Sequence, residues 1–149
     1  EVRLKSAYII CANEVVYGDN QEIIEVKCSY DPLSKSGSGT EQSQRKVKGT
    51  LHWVSKNEAI AVEVREYDRL FLHPSPSTAK TNEELLQMLN PNSKKITKAF
   101  AEPSLKSSKP GDRFQFQRKG YFVVDKDTSP NNIVFNKTVG LRDNWKSFN

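Results

Sequence analysis

The residues able to do acid–base, nucleophilic or metal chemistry are few and scattered. There are two histidines, His52 and His73, and two cysteines, Cys11 and Cys28. They do not supply four metal ligands at a spacing that a zinc module uses. No nucleophile stands beside a base in a recognisable pattern, and no glycine-rich stretch has phosphate-loop spacing. Leu33-Ser34-Lys35-Ser36 resembles a nucleotide-loop tetrapeptide. It lies in a Ser/Gly-rich tract without a partner motif and is read as chance. Glu63, Glu66 and Asp68 are interleaved with Arg65 and Arg69, an arrangement suited to ion pairing along or across a strand rather than to proton transfer. The expectation is a binding module with no catalytic residue, no metal ligand and no cofactor site of its own.

What the chain does offer is hydrogen bonding on a strand. Between Arg113 and Phe122 aromatic and polar residues alternate. With Phe114 and Phe116 facing a core, Arg113, Gln115 and Gln117 face outward. Arg118 then shares the parity of the phenylalanines, a costly place for a charge. A bulge near Lys119-Gly120 would turn it toward the region of Gln115. A glutamine amide presents a donor and an acceptor to a base edge, and a guanidinium presents a fork. Unpaired RNA bases are read by such groups. The alternative is a barrel strand with a polar outer face.

The elements that must carry these side chains are mostly strands. Residues 2–16 are apolar-rich. Residues 23–30 alternate, with Ile24, Val26 and Cys28 on one face. Residues 47–55 and 60–72 predict two more strands, the second with Val62 and Val64 toward the core. Residues 95–101, 113–125 and 133–141 complete the set. One helix is predicted over 82–89. Thr81 and Glu84 form a capping box before Leu85, Leu86, Met88 and Leu89, and Asn90-Pro91 ends it. Several strands, one short helix and no βαβ rhythm predict a mainly β fold, an antiparallel β-barrel or two small barrels. Residues 31–45 predict a mobile Ser/Gly-rich hairpin tip. The prolines after His73 mark a boundary between sub-barrels, near 73–92, within a single 1–149 binding region.

Charge points the same way. Up to Pro74 there are 10 Lys and Arg against 11 Asp and Glu; from Ser75 onward there are 13 against 7. A basic second half suits a polyanion. The longest apolar run, Ala7 to Ala12, falls far short of the roughly 20 residues a membrane helix needs, and no signal peptide opens the sequence. The thiols are expected reduced and half-buried in strands, as in an intracellular protein. Asn136-Lys137-Thr138 fits a glycosylation triplet, a pattern common by chance. Without an initiator Met, the chain reads as a fragment of a longer protein.

Several blocks occur together and in order: Glu1 to Tyr8, Arg45 to Ser55, Tyr67 to Phe71, Phe100 to Lys106, Phe114 to Phe122 and Phe135 to Trp145. In this combination the chain resembles, from end to end, the carboxy-terminal anticodon-binding region of the glutaminyl-tRNA synthetases. That resemblance implies β-barrels holding the anticodon loop, far from a catalytic domain that would lie upstream and is absent here. It implies a parent class I ligase that joins glutamine to tRNA(Gln) with ATP and Mg in the cytoplasm, with no DNA or membrane partner. The archaeal or eukaryotic glutamyl-tRNA synthetases share the architecture and are the nearest rival. A barrel with no RNA contact is the other alternative.

The resemblance also implies roles for single residues. Arg3 falls where the family places an arginine at the first anticodon base. Lys5 stands where the same strand usually has a second arginine, keeping the charge and losing the bidentate fork. Gln115 and Arg118 fall on the readers of the middle base, and Gln117 stands where some members carry Glu. Arg142 is implied as a backbone-phosphate contact.

Overall fold

A computed structural model describes residues 1–141. The chain forms two compact units, Glu1–Trp53 and Val54–Asn149. The division falls ahead of the 73–92 stretch in which the prolines suggested a boundary.

In the first unit a four-stranded sheet runs in the order β3-β2-β1-β4. Its strands are β1 (Val2–Leu4), β2 (Ile9–Tyr17), β3 (Ile23–Tyr30) and β4 (Thr50–Leu51). The apolar stretch over 2–16 is broken because the chain turns at Ser6, with φ of 58°. The strand expected over 47–55 shrinks to two residues. They pair parallel with β1, Arg3 opposite Thr50. A single helical turn, α1 (Glu41–Gln44), is capped by the Thr40 hydroxyl, which accepts from the Ser43 N–H. It lies in the tract read as a mobile tip.

β2 and β3 form a ribbon exposed along every residue of β3. Ile24, Val26 and Cys28 share one face, as the alternation implied, but that face is exposed. Cys11 lies opposite Ser29, and Cys28 opposite Ala12. The two thiols therefore leave opposite faces of the ribbon, and both are exposed rather than half-buried. The buried centre of this unit is Ile9 beside Ser34. The Ser34 hydroxyl accepts from the Ile9 N–H at 2.8 Å and donates to the Asp31 carbonyl at 2.6 Å. The Ser36 hydroxyl donates to the Ala7 carbonyl at 2.9 Å. The hydroxyls of the nucleotide-loop-like tetrapeptide thus hold a turn against β2. Without the Ser34 hydroxyl, a buried N–H would lack a partner, at a cost of about 1–3 kcal/mol.

The second unit is a five-stranded sheet in the order β6-β5-β9-β8-β7. Its strands are β5 (Ile60–Tyr67), β6 (Lys94–Ala101), β7 (Arg113–Phe116), β8 (Gly120–Val124) and β9 (Ile133–Val139). Val62 is buried, and Val64 packs against the same cluster, as their parity required. Ala99 and Ala101 from one edge strand and Phe114 and Phe116 from the other share one core with Phe122 and Phe135. Two edges that close on one core make the sheet a half-barrel. Phe116 stacks on Phe122 at 4.4 Å and meets Phe135 edge-on at 5.0 Å. The mainly β expectation holds. The pairing is mainly antiparallel, with one parallel pair in each sheet, β1–β4 and β5–β9.

Residues 68–93 are an excursion between the paired strands β5 and β6. Asp68, Leu72 and Asn90 make backbone bonds to Ser93, Met88 and Leu70. The second helix, α2 (Asn82–Gln87), lies within it. Thr81 caps it by accepting from the Glu84 N–H at 3.2 Å. The Glu84 carboxylate reaches back to the Lys80 N–H at 2.7 Å rather than to that of Thr81. Among the described residues no helix is long and apolar enough to cross a membrane.

Candidate RNA-binding site

The polar outer face of β7 and β8 is the richest candidate surface of the second unit. Gln115 pairs across the hairpin with Tyr121, and Arg113 with Val123. Their parity is opposite to that of Phe114 and Phe122, which pack into the core, so burial of the aromatics fixes what faces outward. Gln115 makes no side-chain hydrogen bond among the described residues. Its donor and its acceptor are both available. Tyr121 is 45% exposed and offers a ring face beside that amide, an arrangement able to stack a base while its edge is hydrogen-bonded. Arg113, Gln115, Tyr121, Val123 and Thr138 help to line a shallow depression of about 490 Å³. Tyr121 was not singled out from sequence; its place opposite Gln115 was the signal, visible once the hairpin register is known.

Arg118 lies on neither face of a strand. Phe116 pairs with Gly120, so Gln117, Arg118 and Lys119 form the hairpin loop. The Lys119 N–H bonds the Phe116 carbonyl at 2.9 Å. Arg118 has φ of 64°, as at the third position of a type II turn, where Gly or Asn is usual. The expected bulge at Lys119-Gly120 is therefore a turn, and the turn brings Arg118 into solvent one loop away from Gln115. Gly120 makes this possible. It has φ of 138°, and a Cβ there would lie 2.6 Å from the Val139 carbonyl oxygen. Gln117 is exposed in the same loop. A left-handed arginine costs about 1–3 kcal/mol, and such strain collects at functional positions.

In the first unit, Arg3 does something other than present a free fork. Its Nη1 donates to the Ser34 carbonyl at 3.0 Å and to the Ser36 hydroxyl at 3.4 Å. Its Nη2 donates to the carbonyls of Ser43 at 2.9 Å and Arg45 at 3.2 Å. The guanidinium clasps both ends of the Ser/Gly-rich loop. Lys5 is exposed just beyond β1, and the Trp53 indole N–H bonds its carbonyl at 3.0 Å. An exposed aromatic thereby stands next to an exposed cation. Arg142 lies outside the described residues.

The acidic residues of β5 behave as ion-pair partners. Arg65 donates to Glu63 at 2.6 Å and to Asp127 at 2.7 Å, with Asp125 at 3.8 Å. Asp127 and then Glu63 hold its guanidinium protonated even more firmly than usual. Glu66 accepts from Lys137 at 2.7 Å. The Asn136 amide nitrogen, the atom a glycan would need, donates to Asp125, and its oxygen accepts from Tyr67. Among the described residues no group of three or more His, Cys, Asp or Glu gathers to hold a metal ion. The Ser34 and Ser36 hydroxyls are committed to the fold.

Two of these carboxylates make stability depend on acid. The Asp127 N–H and then the Asn136 amide hold Asp125 below its ordinary value of 3.8. The Lys137 hydrogen bond holds Glu66 below its ordinary 4.5. A lowered folded-state pKa stabilises the fold above the ordinary value, and the contribution disappears as pH falls through the folded one. The melting temperature is expected to be level above about pH 5 and to decline below 4.5 and then 3.8. In thermal melts across this range, Glu66→Gln and Asp125→Asn should each flatten the decline; an unchanged acid slope would refute the assignment.

Comparison with known proteins fits this geometry. Residues 50–125 match the family model for tRNA synthetases class I (E and Q), anti-codon binding domain. The chain is 48% identical over 147 residues to a glutamine–tRNA ligase of Nitrosomonas europaea, covering 98% of this chain and 26% of that protein. It is 47% identical over 144 residues to one of Rhodopirellula baltica, 97% of this chain and 24% of that protein. With one of Clostridium perfringens it shares 46% over 147 residues, 98% of this chain and 26% of that protein. The chain spans about a quarter of the length of these relatives.

Proposed function

The chain belongs to the family of class I tRNA synthetase anticodon-binding domains of the E and Q type, and we propose that it reads the anticodon for a glutamine–tRNA ligase. The observation that carries this is the β7–β8 hairpin. It sets the Gln115 amide beside an exposed Tyr121 ring and places Arg118 in the connecting loop. A splayed base can stack on the ring while Gln115 and Arg118 bond its edge. Middle-base reading is assigned to this pair. Lys5, beside Trp53, contacts the loop through its charge. Arg3 positions the 34–45 segment instead of meeting a base, and Arg142 contacts a phosphate.

The ligation itself, with glutamine, ATP and Mg, belongs to a catalytic part of the longer protein working in the cytoplasm. The glutaminyl reading is favoured over the glutamyl one by relatives that are named glutamine–tRNA ligases across nearly the whole of this chain. The test is equilibrium binding of the full-length protein to tRNA(Gln) and to transcripts changed only in the anticodon. A clear preference for the native anticodon is expected; equal binding of all transcripts would defeat the proposal.

A further inference from the structure

We propose that Lys95, Lys119 and Lys137, gathered around Glu66 at one end of the second unit's core, form a binding site for an RNA backbone phosphate. This rests on the anticodon-binding reading and adds a subsite to it.

The strand register assembles the cluster. Val64 lies level with Thr97 and Phe135 in the last apolar layer. One step further along the same face, Glu66 lies opposite Lys95. Lys137 continues the core face of β9, opposite Phe122, and its Nζ reaches Glu66 at 2.7 Å. The β7–β8 turn closes over this end. A Cβ on Gly120 would lie 3.3 Å from the Lys137 side-chain Cε, so the turn carrying Lys119 packs directly on that lysine. Lys137, Lys95 and Lys119 all lower the pKa of Glu66.

Three cations thus surround one carboxylate. Glu66 pairs directly with Lys137, and neither Lys95 nor Lys119 is in a direct ion pair among the described residues. Both are exposed. An ion pair alone needs one lysine. Protection of the edge strand accounts for lysines on β6, but not for Lys119 in the turn or Lys137 on the central strand. An anion relieves the remaining repulsion. Arg118 precedes Lys119 in the same loop, so a nucleotide whose base meets Arg118 carries its phosphate to this end of the sheet. Glu66 fixes Lys137 in place and keeps the site from holding any polyanion indiscriminately.

The experiment is tRNA(Gln) binding by the full-length protein against salt concentration, for wild type, the Lys95→Gln/Lys119→Gln double variant and Glu66→Gln. Lys137 is kept, because its loss would strand Glu66. Each phosphate contact to single-stranded RNA contributes about 0.7 to the slope of log K against log salt. The double variant should lose about 0.7 of that slope, the share of one phosphate, weaken native and anticodon-variant tRNAs alike, and melt as wild type does. Glu66→Gln should bind more tightly at low salt. If wild type discriminates among anticodons but the double variant keeps the full slope, the phosphate site is wrong and the anticodon reading survives. If wild type does not discriminate at all, both fall.

Discussion

Replacing Arg118 by alanine in the full-length protein is expected to bring native and anticodon-variant tRNAs closer in affinity by about five- to a hundredfold. A good bidentate contact to a base is worth ~1–3 kcal/mol of discrimination, and ~1.4 kcal/mol is a factor of ten. Gln115→Ala should act in the same direction and at the same anticodon position, because its amide and the Arg118 loop belong to one hairpin. The backbone makes the test sharper. At φ of 64° an alanine carries strain that a glycine does not. Arg118→Gly should therefore be the more stable variant by about 1 kcal/mol, while losing as much discrimination. Greater stability with poorer reading is the signature of a residue held in place for its contact. Equal weakening of all tRNAs by Arg118→Ala and Gln115→Ala would show that neither reads a base.

Arg3→Ala is expected to do the opposite: cost stability and leave discrimination alone. One guanidinium holds the carbonyls of Ser34, Ser43 and Arg45. A hydrogen bond to a charged group is worth about 1.5–3 kcal/mol. Since the bonds share one cation and are partly solvated, a total of about 3 kcal/mol is expected. Hydrogen exchange should quicken across 34–45, and native and variant tRNAs should weaken together. Arg3→Lys should recover only part of the loss, because a point charge cannot span both ends of the loop. The resemblance implied a base reader here. If Arg3→Ala melts like wild type yet misreads one anticodon position, that role stands and the clasp does not.

These two arginines show where sequence was enough and where it was not. Period-two alternation placed Val62 and Val64 in the core and Gln115 outside it, because parity is a local property of a strand. Thr81 announced α2, and Glu63 with Arg65 announced an ion pair, for the same reason. Alternation says which residues share a face, not whether anything covers it. Ile24, Val26 and Cys28 are on one face as expected, and that face is exposed. The parallel partners β4 and β9 were not legible, since pairing between distant segments is decided by packing. Residues 47–55 looked like a strand and kept only Thr50 and Leu51, the two that reach β1. Arg118 was misjudged as a strand residue needing a bulge, because nothing in an arginine announces a left-handed turn. The use of Arg3 depended on where the carbonyls of residues 34–45 end up, which only the folded loop reveals.

The parallel pairing of β5 with β9 also sets an order of assembly during synthesis. β9 is the last strand among the described residues, yet it is the middle strand of its sheet. Before it leaves the ribosome, only the β5–β6 and β7–β8 hairpins can form, and a lone hairpin is marginal in water. About 70 residues separate Tyr67 from Val139. At about 5–20 residues per second the interval is roughly 4–14 s. Throughout it, Val62 and Val64 lack the strand that covers them, and two hairpins present open edges to other chains. A frameshift before Ile133 would therefore leave two unfinished hairpins prone to aggregate, not a shortened domain.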